Sequence, residues 1–158
     1  MRDQSFEQTR WSLGNLLPAV EGPDLDLALA DLEEAVSEVE AVRDRLSPDM
    51  PQDDFAQLMG SVERVAAISR RLGAYAHLWY AEDTQYQNAL AFRGRIEKVL
   101  TDVQNRTLFF SLWWKALDHE PAERLLAGAG DNAYYLQSLR RFKPHTLSEL
   151  SLIHISEP

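Results

Sequence analysis

Hydrophobic residues recur every three or four positions along three long stretches of this chain, the spacing that puts them on one face of an α-helix. The first stretch runs from about Asp24 to Leu46, with Leu25, Leu29, Leu32, Val36, Val39, Val42 and Leu46 in the stripe and Asp and Glu opposite. Gly22-Pro23-Asp24 predicts its start and Ser47-Pro48 its stop, since Pro suits a first helical turn and disfavours helix in the residue before it. The second runs from Pro51 to Tyr80 through Phe55, Leu58, Val62, Val65, Ile68 or Ser69, Leu72, Ala76 and Trp79. Asp53 and Asp54 fall in its first turn, where the helix dipole favours negative charge. The third begins near Thr84, which forms a capping-box pattern with Gln87, and continues to Leu117 through Phe92, Ile96, Val99, Val103, Thr107, Phe110 and Trp114. At about 1.5 Å per residue the second and third helices would be roughly 45 and 50 Å long.

The links around Ser47–Met50 and Ala81–Asp83 are short, which predicts antiparallel neighbours. Beyond residue 117 a short helix is expected from Pro121 to Leu126, broken by Gly128-Ala129-Gly130. A last helix is expected from Asn132 to Phe142, ended by Pro144, with Arg140, Arg141 and Lys143 suited to its C-terminal dipole. No strand alternation occurs before residue 149. The predicted class is all-α. An N-terminal segment (1–23) precedes three long antiparallel helices (24–117), then short helices and loop (118–149), then a tail (150–158).

Residues 108–117 read Leu-Phe-Phe-Ser-Leu-Trp-Trp-Lys-Ala-Leu, with only Ser111 and Lys115 polar. A helix apolar on nearly every side needs neighbours on nearly every side. Fully burying each large side chain is worth about 1.5–3 kcal/mol. Either the terminal helices fold over this stretch, or it was built to pack against more polypeptide than these 158 residues provide. The second expectation predicts a bare apolar patch here.

Composition narrows the class further. The chain carries no Cys, which excludes a disulfide scaffold, a thiolate zinc site and a cysteine nucleophile. Its net charge of −9 is uneven: residues 1–60 hold 14 acidic and 4 basic groups, while the remainder is close to neutral. That balance argues against nucleic-acid binding, which rests on clustered Lys and Arg, and reads as a solvated acidic helix face. No apolar run is long enough to span a bilayer, and the first residues lack the basic-then-apolar layout of a secretory signal. A cytoplasmic location is the expectation.

The chemistry-bearing residues do not form a site in the sequence. The four His, at 77, 119, 145 and 154, include no pair four apart, as a zincin helix requires, and none is preceded at three residues by Glu, as a di-iron bundle requires. There is no Gly-x-Ser-x-Gly elbow and no phosphate loop; Gly128-x-Gly130 reads as a turn. Asn105-Arg106-Thr107 matches a glycosylation acceptor but falls mid-helix. His77, among Tyr75, Trp79 and Tyr80, suggests an aromatic pocket or a partly buried histidine bonded to a neighbouring helix. Trp113-Trp114 suits either ligand stacking or core packing. Arg140-Arg141-Phe142-Lys143-Pro144-His145 could hold an anion or pair with helix ends. No catalytic, cofactor-binding or metal residue is assigned, substrate-binding residues are unknown, and the chain alone is expected to be inactive.

Three segments carry a resemblance. They are Gly73-Ala-Tyr-Ala-His-Leu-Trp-Tyr-Ala-Glu-Asp-Thr-Gln, Asn105-Arg-Thr-Leu-Phe-Phe-Ser-Leu-Trp-Trp-Lys, and Tyr134-Tyr-Leu-Gln-Ser-Leu-Arg-Arg-Phe-Lys-Pro-His-Thr-Leu-Ser-Glu149. Together they resemble the N-terminal part of oligoendopeptidase F-like zinc metallopeptidases, a family related to thimet oligopeptidase. Trp11-Ser-Leu-Gly-Asn-Leu is similar to the way such chains begin, so the likeness spans about Trp11 to Glu149. Arg-x-Phe-Lys-Pro-His-Thr-Leu-Ser-Glu is its most specific element. The resemblance implies a large all-helical peptidase whose deep cleft admits short peptides, with zinc held by a His-Glu-x-x-His helix and a later Glu. Those residues have no counterpart in this chain, so the zinc and the missing C-terminal catalytic region belong to the full-length family. The alternative is a free-standing helical adaptor that docks a partner helix. After Glu149 the chain departs from the family: Leu150-Ser-Leu-Ile-His-Ile-Ser-Glu-Pro158 resembles translated sequencing-adapter read-through, and is expected to be foreign or disordered.

Overall fold

Five helices and no strand make up the part of the chain that the computed structural model describes, residues 12–143. They are α1 (Pro23–Ala41), α2 (Gln52–Glu82), α3 (Gln87–Ala116), α4 (His119–Leu126) and α5 (Ala133–Arg140). The all-α expectation holds for these residues. The expectations for the 150–158 tail, and for Pro144 and His145, lie outside them.

Gly22, at φ 91°, takes a backbone conformation that favours glycine and lets Pro23 open α1. Asp24 and Asp26 occupy the first turn. The stripe of α1 buries Leu25, Leu32, Val36 and Val39, with Ala28 and Ala35 beside them, while Leu29 is only half-buried. The helix ends at Ala41, five residues short of the predicted Leu46. Arg43–Arg45 form a 3₁₀ turn, and Leu46 is extended (φ −64°, ψ 116°). Pro48 disfavours helix at Ser47, and the chain has already tightened into the 3₁₀ turn before reaching it.

Helix α2 buries Phe55, Leu58, Val65, Ile68, Leu72 and Ala76 as its spacing predicts, together with Met59 and Tyr75; Val62 and Trp79 are half-buried. It passes close to α3 at Gly73, where an added Cβ would stand 3.3 Å from Leu100 Cδ1. The capping box at the start of α3 is a correction. Thr84 and Gln87 do not cap it: Tyr86 holds the N-cap position with no side-chain bond. Asp83 organises the turn instead, its Oδ1 accepting from the Gln85 N–H at 3.0 Å and its carbonyl from the Tyr86 N–H at 3.1 Å. Helices α4 and α5 are shifted from prediction, starting at His119 and ending at Arg140, with Gly130 (φ 53°) turning the chain between them.

Helix α1 packs against both α2 and α3, which also pack on each other, while α4 lies on α2 and α5 on α3. At about 1.5 Å per residue, the 19 residues of α1 reach some 28 Å and the 31 of α2 some 46 Å. The α2–α3 pair is therefore longer than its third helix. Near the α2–α3 turn its own rings pack together: Trp79 meets Phe92 edge-on at 5.5 Å and Tyr86 at 5.8 Å, and Tyr75 meets Phe92 at 5.8 Å. Near the other end, α4 and α5 supply the cover.

That cover corrects the expected bare patch. Trp114 is 0% exposed, and Phe109, Phe110 and Leu117 are buried, with Leu108, Leu112 and Trp113 half-buried. Trp114 stacks on Phe55 at 5.5 Å, and its indole Nε1–H donates to the Leu136 carbonyl at 2.8 Å. The terminal helices seal most of the stretch, so its greasiness is no measure of missing polypeptide.

Candidate functional site

The basic segment that closes α5 caps a helix. Arg140 Nη1 donates to the carbonyls of Trp114 (3.1 Å) and Leu117 (3.0 Å), and Lys143 Nζ to those of Ala116 (3.3 Å) and Leu117 (3.0 Å). These carbonyls belong to the last turn of α3, which lacks intrahelical donors and carries the negative end of the helix dipole. Two of the candidate anion-binding cations are thus committed to a structural task, and Arg141 is exposed.

A second basic residue latches α4. Arg124 Nη2 donates to the carbonyls of Pro48 and Met50, both at 2.8 Å, and the Arg124 carbonyl accepts from Gln52 Nε2 at 2.6 Å. This exchange fixes the short helix over the α1–α2 link.

Neither reading of His77 survives. The residue is exposed on α2 while its neighbours Tyr75 and Trp79 turn inward to Phe92. Trp114 is a core residue, and Trp113 packs at the edge of the same cluster, 6.3 Å from Phe55 and 6.2 Å from Phe110. Asn105 is exposed on α3, within the helix. Gly128 and Gly130 sit in the turn region between α4 and α5.

The sequence reading missed two arginines that gather the acidic face of α1. Arg64, on α2, binds Asp31, Glu34 (2.6 Å) and Glu38 (3.2 Å), while Ser61 Oγ donates to Glu38 at 2.7 Å. Arg106, on α3, binds Glu33 and Glu40, each through 2.7 Å contacts, and its own-helix neighbour Asp102 at 3.6 Å. Hydrogen bonding to Arg106 holds the Glu33 and Glu40 carboxyls below the usual carboxylate range, against a smaller opposing push from burial. Part of the acidic face is therefore a pair of interhelix clasps. The signal was present as acids at 31, 34 and 38 on one flank of the α1 stripe and at 33 and 40 on the other.

Two concavities remain. An open hollow of about 460 Å³ lies beside Leu16, Pro18, Leu27 and Arg71, with Asp24 and Asp31 on its rim. Asp31 is already engaged by Arg64. A narrower groove of about 200 Å³ lies between α2 and α3, floored by Val39 and bounded by Val62, Val65, Leu108, Ser111 and Tyr135. Tyr135 lines it at 45% exposure, and the loss of hydration on its covered side pushes its phenol up. Among the described residues, no group of three or more His, Asp or Glu could hold a metal ion. The described residues therefore do not fit a zinc site. No helix among them is long and apolar enough to cross a membrane.

No family model, curated protein or solved structure matches this chain.

Proposed function

We propose that this chain is the N-terminal helical region of an oligoendopeptidase F-like zinc metallopeptidase, located in the cytoplasm. Its role would be to help wall the cleft that limits substrates to short peptides. The observation that carries this reading is the residue likeness from Trp11 to Glu149, densest at Arg-x-Phe-Lys-Pro-His-Thr-Leu-Ser-Glu. The all-helical fold agrees with it. The expected bare patch at 108–117, which would have been independent physical support, is absent.

In this reading the chain contributes shape and no chemical step. Arg64, Arg106, Arg124, Arg140 and Lys143 are spent on carboxylates and carbonyls of their own chain, and among the described residues no group of three or more His, Asp or Glu could hold a metal ion. Peptide hydrolysis, and the zinc that serves it, would belong to residues outside this chain.

One observation favours the second reading, a free-standing helical adaptor. The described residues close a core from Leu17 to Leu136, and none of the buried residues among them is charged or polar. A single experiment separates the two. Reading the gene beyond codon 149 should reveal an open frame with His-Glu-x-x-His a few hundred codons on. A natural stop near that codon, with a folded product that captures helical peptides, would establish the adaptor and sink the peptidase reading.

A further inference from the structure

We draw no further inference here: the strongest candidate, the groove between α2 and α3 bounded by Val62, Val65, Leu108, Ser111 and Tyr135, is an unpartnered face, and nothing in the structure shows what covers it.

Discussion

Two adjacent tryptophans, alike in the sequence, have different surroundings, and replacing each by phenylalanine measures the difference. Trp114→Phe removes the indole N–H that donates to the Leu136 carbonyl at 2.8 Å, a bond worth about 1 kcal/mol net. The smaller ring also leaves a void of roughly two methylene groups beside Phe55, at about 0.8 kcal/mol each. The sum is about 2.5 kcal/mol. For a domain of this size a loss of that order lowers the thermal midpoint by about 5–10 °C. Trp113 is half-buried with no comparable indole bond among the described contacts, so Trp113→Phe should cost less than about 1 kcal/mol. Urea and thermal unfolding followed by circular dichroism at 222 nm would measure both without relying on indole fluorescence. Equal costs for the two variants, or a loss under about 0.5 kcal/mol for W114F, would refute the placement of α5 over the end of α3.

Other expectations follow from the clasps and caps. Glu33 and Glu40 have lowered pKa values in the folded state, so their contribution is complete above the ordinary carboxylate value of 4.5 and drains away as pH falls through the lower folded values. The stability gap between the native chain and R106Q should therefore be flat from about pH 6 to 8 and narrow on acidification below about pH 4; a gap that widens there would contradict the clasp. Arg140→Gln removes both bonds to the α3 carbonyls, and should cost about 1–3 kcal/mol with faster amide exchange confined to α5; unchanged exchange would refute the cap. The purified chain with added zinc should hydrolyse no fluorogenic peptide, and measurable turnover would contradict the wall-only role.

The buried stripe of α1 was legible because a helix in a bundle hides one face, and Leu25, Leu32, Val36 and Val39 keep that period. Burial at Phe55, Leu72, Phe92, Ile96 and Trp114 followed the same rule. Helix ends were less legible. The stripe continues through Val42 and Leu46 in the sequence, yet Val42 ends α1 and Leu46 follows the 3₁₀ turn in an extended link, which spacing alone does not show. The capping pattern at Thr84 competed with an equally local Asp83 turn, and spacing alone did not decide between them. The clasps needed more than local pattern. Arg64 and Arg106 lie 26 or more residues from the α1 acids they bind, so their pairing depends on the register between helices, which packing sets. His77 went astray for a related reason: its aromatic neighbours mark the inner side of α2, and it stands on the outer one.

The misjudged stretch at 108–117 shows how an apolar helix end can be satisfied without a larger body around it. A helix apolar on all sides needs several partners, but they need not be long ones. Phe55 from the start of α2 stacks on one side of Trp114, and α5 offers a carbonyl to its indole nitrogen. Arg140 and Lys143 then close the carbonyls below. Eight residues in α4 and eight in α5 accomplish this because they are fixed by side-chain to main-chain bonds instead of by length. Among the described residues, what stays open includes the Leu108–Ser111 flank, against α2, with Tyr135 of α5 at its edge. Any case for a larger protein therefore rests on residue likeness, because the apolar stretch is largely covered by its own chain. The 108–117 stretch as a whole no longer supplies it.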